Sequence, residues 1–178
     1  MNVRAESLLM IQLKLPLTII TSSMAANKDK KRKRAMVVFS IYMVLLIYFL
    51  FFAQEMGRTA DKQYRYNLVL FFEIRRFIRN IDYLGWKSVI INVLGNVVAF
   101  MPFGYYVPKI IKKKLGILYT TILSFEFSLI VEFVQLVTKL GCFDVDDLML
   151  NTIGGFLGYL CFYLIDRRQQ ESVNKKKT

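Results

Sequence analysis

The chain of 178 residues has no histidine and only two cysteines. Without histidine, no side chain has an unperturbed pKa near neutrality and no imidazole is available to bind a metal ion. Cys142 falls in a short predicted loop and Cys161 lies inside an apolar segment, which argues against a disulfide between them. No P-loop, dinucleotide fingerprint, nucleophile elbow or zinc motif occurs. Any catalysis would therefore use carboxylates, Lys, Tyr or Ser, and no cofactor is predicted.

Basic residues outnumber acidic ones by 25 to 13, although 55% of the chain is hydrophobic. A basic excess of this size is one mark of nucleic-acid binding. Here, however, Lys and Arg cluster just outside the apolar segments, as they do beside membrane helices. The pattern predicts membrane lipids as partners of the protein and does not predict nucleic acid.

Four apolar stretches are long enough to cross a bilayer, which takes roughly 20 mostly apolar residues. Between the first two, apolar and charged residues recur at helical spacing, which predicts an amphipathic helix in the membrane interface. A helix packed on the bundle with a solvated charged face is the open alternative. The predicted fold is an all-α integral membrane protein with four transmembrane helices and an amphipathic interfacial helix between the first and second. The four predicted spans are residues 35–53, 89–107, 116–137 and 148–165.

Basic clusters at residues 28–34, 109–114 and 166–178 set the predicted orientation. The sequence predicts a multi-pass plasma-membrane protein. Because short basic segments stay in the cytoplasm, both of its termini are predicted to be cytoplasmic. The chain is accordingly divided into a basic, mostly disordered cytoplasmic segment (1–34), a membrane domain (35–165) and a basic cytoplasmic tail (166–178).

Polar side chains recur near the predicted outer ends of three spanning helices, within about 10 Å of the end at 1.5 Å per residue. They form pairs whose members share one side of a helix. Since lipid-facing polar pairs are costly, they predict a pocket that lies inside the bundle and opens outward. The pairs are Asn92 with Asn96, Glu132 with Gln135, and Asp147 with Asn151.

A hydrogen-bonded network that only joins the helices is the simpler alternative to a pocket. It is favoured for the asparagines and Gln135 alone, because amides suit helix–helix hydrogen bonds. Glu132 and the aspartates favour a binding site, because ionisable groups at membrane depth tend to be functional. For Glu126, near mid-membrane, a hydrogen-bonded carboxyl group and a proton path are equally open.

The segment FDVDD contains Asp144, Asp146 and Asp147 but lacks the other ligands of a calcium loop, so no metal site is predicted. Asp146 and Asp147 stand at the start of the fourth helix, where one of them is predicted to cap free N–H groups. Three arginines of the amphipathic helix are predicted to contact phosphates or lipid headgroups: Arg75, Arg76 and Arg79.

Three runs carry a family pattern: INVLGNVVAFMPFGYYVP (91–108), SLIVEFVQL (128–136) and FDVDDLMLNTIGGFLGY (143–159). In this order they resemble the VanZ signature, which has N-x-x-x-N leading into F-x-P-F-G, then E-x-x-Q, then D-x-x-D-x-x-x-N-T-x-G-G-x-x-G. The upstream run YNLVLFFEIRRF matches only weakly, with Leu70 where the family commonly has proline. The matching positions are Asn92, Asn96, Pro102, Gly104, Glu132, Gln135, Asp144, Asp147, Asn151 and Gly155.

The resemblance implies a membrane protein associated with resistance to glycopeptides such as teicoplanin. We expect a non-enzymatic envelope protein whose pocket binds a lipid-linked cell-wall precursor or an acylated glycopeptide. Two alternatives remain open. One is a membrane enzyme that modifies a lipid-linked substrate with Glu132 and Asp147 as acid and base. The other is a small proton-coupled transporter with Glu126 and Glu132 as relays.

Overall fold

The structure, a computed structural model, describes residues 3–52, 64–111 and 115–175. Residue 53 of the first predicted span, together with residues 112–114 and 176–178 of the predicted basic clusters, lies outside the described residues. The described elements are, in chain order, α1 (Val3–Phe52), β1 (Tyr66–Asn67), α2 (Phe72–Arg79), α3 (Ile81–Ile110), α4 (Ile117–Thr138), β2 (Phe143–Asp144) and α5 (Val145–Lys175).

Four of the described helices contain a stretch long and apolar enough to cross a membrane. This confirms the predicted all-α membrane fold with four spans. Each stretch extends one to nine residues beyond its predicted bounds at one end or both, because residues at the ends of a helix can continue it at little cost. The stretches are Ala26–Phe51, Gly85–Ile110, Ile117–Thr138 and Val145–Ser172.

The eight-residue helix α2 lies within the amphipathic stretch between the first two spans, and none of its residues is buried. Its position in the membrane interface stays a prediction. The spanning part of α3 follows a kink at Gly85, whose φ of 75° and ψ of 145° are not helical. Glycine adopts such a positive φ without steric penalty. The kink separates the short first turn of α3 from its membrane span.

Both ends of the chain are more helical than their composition predicts. Residues 1–34 are basic and were expected to be mostly disordered, whereas α1 is continuous from Val3 to Phe52. At the other end, α5 continues through the predicted tail as far as Lys175. Lys, Arg and Leu have good helix propensity, and extending an existing helix needs no new nucleation. The structure therefore differs from the disorder predicted for the basic leading segment.

Glycines allow α5 to pack closely against its neighbours. A Cβ atom at Gly158 would lie 2.0 Å from the carbonyl oxygen of Met101 on α3. A Cβ atom at Gly155 would lie 2.0 Å from Oγ of Ser124 on α4. Small residues of this kind let spanning helices approach at backbone distance. α5 is therefore in close contact with both α3 and α4.

Aromatic residues fill the space between α1, α3 and α4. Phe100 is fully buried, and the rings of Phe103 and Phe127 stack with their centroids 5.0 Å apart. The hydroxyl of Tyr42 donates a 2.7 Å hydrogen bond to the carbonyl oxygen of Ala99, which joins α1 to α3. Toward the end of the bundle at which α3 and α5 begin, this apolar region adjoins a second region in which most of the buried side chains are polar.

Candidate functional site

Three spanning helices meet α2 at one end of the bundle, which we call the site end. α3 and α5 begin there and α4 ends there. The sequence predicts a polar layer at these helix ends, and the structure brings polar members of α4, α5 and their connecting loop together there. Its orientation toward the outside stays a prediction. The buried polar residues at this end are Glu132, Gln135, Asp144, Asp146 and Asn151.

A short parallel β-bridge attaches the segment before α2 to the loop between α4 and α5. Tyr66 pairs with Phe143 and Asn67 pairs with Asp144. The side-chain amide of Asn67 also donates a 3.1 Å hydrogen bond to Oδ1 of Asp144. The loop preceding α2 is thus held to the membrane domain by both backbone and side chain.

Asp146 holds the first turn of α2. Its side chain is almost fully buried, with 1% of its surface exposed. Its carboxylate accepts hydrogen bonds from the backbone N–H groups of Phe71, Glu73 (2.9 Å) and Ile74 (3.4 Å). These are among the N–H groups that have no partner within a helix, and a carboxylate is well suited to them. Asp146 therefore caps α2, a helix more than 60 residues away in sequence.

The cap of α5 comes from Asp144 instead of Asp146 or Asp147. Oδ1 of Asp144 accepts a 2.8 Å hydrogen bond from the backbone N–H of Asp146, as an N-cap side chain does. The sequence predicts that Asp146 or Asp147 caps the fourth spanning helix. In the structure Asp144 caps it instead. The reason is that α5 begins at Val145, before the predicted start of the span.

The two polar residues near the end of α4 reach two different elements. Glu132 is 2% exposed, and its Oε2 accepts a 2.9 Å hydrogen bond from the backbone N–H of Asp144. Gln135 is 3% exposed and donates a 2.9 Å hydrogen bond to the carbonyl oxygen of Leu50 on α1. The predicted pair therefore connects α4 to the α4–α5 loop and to α1.

The polar pairs of α3 and α5 are also in contact. Nδ2 of Asn96 donates a 2.5 Å hydrogen bond to Oδ1 of Asp147. One turn further along α5, Nδ2 of Asn151 donates a 2.9 Å hydrogen bond to Oγ of Ser128 on α4. The other amide atom of Asn151, Oδ1, is buried and has no hydrogen-bond partner among the described residues. Asn151 thus lies in the helix interface, and its Oδ1 remains an unused hydrogen-bond acceptor among the described residues.

A cavity of about 420 Å³ lies at the site end, between α2, α3, α5 and the α4–α5 loop. Of the predicted site residues, the lining includes Asn92, Asp144, Asp147 and Arg76. Six predicted residues lie outside the lining. Asn96 and Glu132 hydrogen-bond to lining residues, Gln135 and Asn151 hydrogen-bond elsewhere in the helix interfaces, and Arg75 and Arg79 are on α2. The cavity therefore brings four of the predicted site residues together, and the other predicted residues lie outside its lining.

The lining carries both signs of charge. Four carboxylates face two guanidinium groups, and one of these guanidiniums, that of Arg76, already forms a 2.7 Å salt bridge with Glu73. Such a wall can bind ammonium or hydroxyl groups through the carboxylates and an anionic oxygen through Arg65. The carboxylates are Glu73, Asp144, Asp146 and Asp147.

Burial raises the pKa of two groups that line this cavity. It raises the pKa of the Asp144 carboxyl, although the N–H of Asp146 and the amide of Asn67 oppose the shift. Burial, assisted by the negative charge of Asp144, also raises the pKa of the Cys142 thiol. A thiol with a raised pKa is a poor nucleophile at neutral pH. Cys142 therefore lines the cavity as a thiol that is not activated, and it reacts with alkylating reagents more slowly than an ordinary cysteine.

Three charged lining residues are absent from the predicted set: Arg65, Glu73 and Asp146. Glu73 belongs to the run whose family match is weak, and Arg65 stands directly before that run. Their proximity to the aspartates depends on the β-bridge, which no periodicity reveals. Asp146 stands beside a predicted site residue, but its long-range partners cannot be read from helical spacing.

Arg75 and Arg79 are exposed on α2 and do not line the cavity. Their contact with lipid phosphates stays a prediction. Glu126 is exposed, whereas Glu132 is buried. At 100° per residue, six residues place these two acids on different faces of α4. A direct relay between them, which the transporter alternative requires, is not formed in the described structure.

Comparison with known proteins agrees with this architecture. The model of the VanZ/LLP1 family matches residues 39–166, which include all four spans in part or whole. Protein VanZ of Enterococcus faecium is 26% identical over 138 residues, which cover 78% of this chain and 76% of that protein. No solved structure matches the chain. The family match includes every spanning helix and the acidic loop at the site end, and the chain belongs to the VanZ/LLP1 family of membrane proteins.

Proposed function

We propose that this protein contributes to resistance against acylated glycopeptides such as teicoplanin by binding an amphiphile in the cavity at the site end. The amphiphile is the drug itself or a lipid-linked cell-wall precursor, which share a polar headgroup attached to an acyl or prenyl chain. The observation that carries the proposal is the cavity of about 420 Å³ bounded by charged residues at the end of a membrane bundle.

The position of the cavity suits a headgroup whose chain remains in the bilayer. Asp147 and Asn92 lie on the membrane helices, and both face the cavity. Arg65 and Arg76 line the same cavity and lie outside the spans. A phosphate would bind the guanidinium groups, and hydroxyl or ammonium groups would bind the carboxylates. The exposed Arg75 and Arg79 would contact anionic lipid around the cavity mouth.

This proposal requires the site end to face outward, with both termini in the cytoplasm of a plasma-membrane protein. Native Cys142 lines the cavity, so it reports the orientation without any substitution. A maleimide that cannot cross membranes should label Cys142 in intact cells. Labelling of Cys142 only after the cells are opened would contradict the proposed orientation.

Susceptibility tests the function. A sensitive Gram-positive host expressing the wild type should be selectively protected against teicoplanin compared with vancomycin. The Glu132→Gln/Asp147→Asn double variant keeps the shape of both side chains and one oxygen that can accept the observed hydrogen bond, but it removes their charge. We expect it to lose most of the protection at equal membrane level.

Two outcomes would count against the proposal. If the double variant protects as well as the wild type, the charged cavity is not the working site. If the wild type gives no protection while it reaches the membrane, the resistance role itself fails, and the lipids of a deletion strain should then be compared with those of its parent.

A further inference from the structure

A single acidic side chain, Glu126, lies on the outer face of α4. It is the tenth residue of a 22-residue spanning helix, so it lies near the middle of the membrane span. Its side chain is exposed. The residues one turn to either side, Ile122 and Ile130, are 44% and 60% exposed, and Phe133 is 60% exposed. The outer face of α4 is thus apolar except for one carboxyl group.

An acid in this position requires a partner. Ionisable side chains within membrane spans are costly in hydrocarbon, and they nearly always face the interior of a protein assembly. Among the described residues, no hydrogen bond or ion pair to Glu126 is formed. The other face of α4 already packs inside the protomer, where Ser128 and Glu132 are buried. The described residues do not supply the interior that Glu126 faces, and a second chain can supply it.

We propose that α4 is a homodimer interface in which Glu126 of one copy pairs with Glu126 of the other. When two copies are related by a twofold axis along the membrane normal, each residue lies at the depth of its own counterpart. Two carboxyl groups hydrogen-bond to each other when at least one is protonated. A second copy thus supplies a polar partner at the required depth, and Ile122 and Ile130 of both copies pack around it.

This interface does not cover the cavity of either copy. The cavity is lined by residues of α2, α3, α5 and the segments that flank β1 and β2, and no residue of α4 is in its lining. The dimer would therefore carry two independent cavities on opposite sides of the α4 pair. For that reason, failure of the dimer and failure of the proposed glycopeptide role are separate results.

Oxidative cross-linking of single cysteines in membranes tests the contact directly. The starting protein is the Cys142→Ser/Cys161→Ser variant. Ile130→Cys places a thiol one turn from Glu126 on the outer face of α4. Ile153→Cys on α5 is the matched control, because both positions are exposed and eight residues from the site end of their helix, about 12 Å in depth. We expect the Ile130→Cys protein to form a disulfide-linked dimer at least ten times faster than the control.

Energy transfer between donor- and acceptor-labelled copies in lipid vesicles tests the role of the carboxyl group. Glu126→Leu should raise the dissociation constant of the dimer at least tenfold. Glu126→Gln should change it less than threefold, because an amide can still pair across a twofold axis. Neither variant should lower the thermal stability of the protomer, because the side chain has no partner within the described fold.

Equal cross-linking at Ile130→Cys and Ile153→Cys would overturn the proposal. So would unchanged energy transfer in Glu126→Leu, or cross-linking of Ile130→Cys to a different protein in place of a second copy.

Discussion

The two halves of the α4–α5 interface are both polar, yet they differ in where their hydrogen bonds go. In the half away from the site end, Thr120 and Ser124 donate to carbonyl oxygens four residues earlier in their own helix. In the half at the site end, Glu132 and Gln135 bond to a loop and to another helix. The first half is packed against glycines, and the second borders a cavity. Polarity in a membrane interior therefore indicates a site only where hydrogen bonds join separate elements around open space.

The largest expected effect comes from the glycine contact between α3 and α5, at Gly155, whose other side packs against Ser124 in the packed half. A Cβ atom at Gly104 would lie 1.9 Å from the carbonyl oxygen of Gly155, so Gly104→Ala must push α3 and α5 apart. We expect a loss of about 3 kcal/mol in the free energy of unfolding, at the upper end for overpacked cores. Gly95→Ala on the same helix is the control, because no atom lies within 4 Å of the added methyl group. It should stabilise by up to about 1 kcal/mol. Thermal or denaturant unfolding in detergent measures both, and equal effects would contradict the packing described.

The next comparison separates bonds between elements from bonds within one helix. Glu132→Ala leaves the buried N–H of Asp144 without its acceptor, which should cost about 2 kcal/mol. Ser124→Ala removes a hydroxyl that bonds only to Thr120 of its own helix, and it should cost less than about 1 kcal/mol. The free energies of unfolding of the two variants decide the matter. Equal losses would mean that the two halves contribute alike.

A third comparison concerns neighbouring aspartates. Asp146→Ala removes the acceptor for the first turn of α2, and capping interactions are typically worth about 1 kcal/mol. Amide hydrogens of Glu73 and Ile74 should then exchange several times faster. Asp147→Ala loses only the contact with Asn96 and should leave exchange in α2 unchanged. Hydrogen exchange followed by mass spectrometry distinguishes them, and similar exchange in both variants would show that Asp146 does not hold α2.

The smallest effect is a pH dependence. Because burial raises the pKa of Asp144 above its ordinary value of 3.8, folding favours its protonated form. Its contribution to stability is therefore complete at low pH and declines as the pH rises through the raised pKa. Asp144→Asn keeps an oxygen for the bonds from Asn67 and Asp146 but cannot ionise. Its melting temperature should fall less than that of the wild type between pH 4 and pH 7, as a rough working range. A steeper fall in the variant would reverse the sign and refute the argument.

Much of the fold could be predicted from the sequence because the membrane imposes a simple rule. A span needs a long apolar stretch, and the four stretches around residues 35–53, 89–107, 116–137 and 148–165 are separated by charges. The disorder predicted for residues 1–34 follows from the sequence less securely than the four spans do. Composition alone does not show that a basic segment continues an adjoining helix, as α1 does from Val3.

The candidate site could be predicted only in part. Helical spacing identified Glu132 and Asp147, because period and depth place polar residues on a common face. It could not identify Arg65 or the partners of Asp146, which depend on a two-residue β-bridge and on a cap between distant segments. The same spacing gave no polar partner to Glu126, since the residues three and four positions away on α4 are all apolar. Contacts between segments required the structure.

The most direct test of the central claim, that the cavity at the site end binds an acylated glycopeptide or a lipid-linked precursor, is protection of Cys142. The purified wild type in lipid bilayers has two free thiols, Cys142 in the cavity wall and Cys161 on α5. Alkylation of each is followed by mass spectrometry with teicoplanin, with a lipid-linked cell-wall precursor, with vancomycin, and without ligand. Binding at the cavity should slow alkylation of Cys142 several-fold with teicoplanin or the precursor, but not with vancomycin. Cys161 should react at the same rate throughout. An unchanged rate at Cys142 with saturating teicoplanin and with the precursor would contradict it.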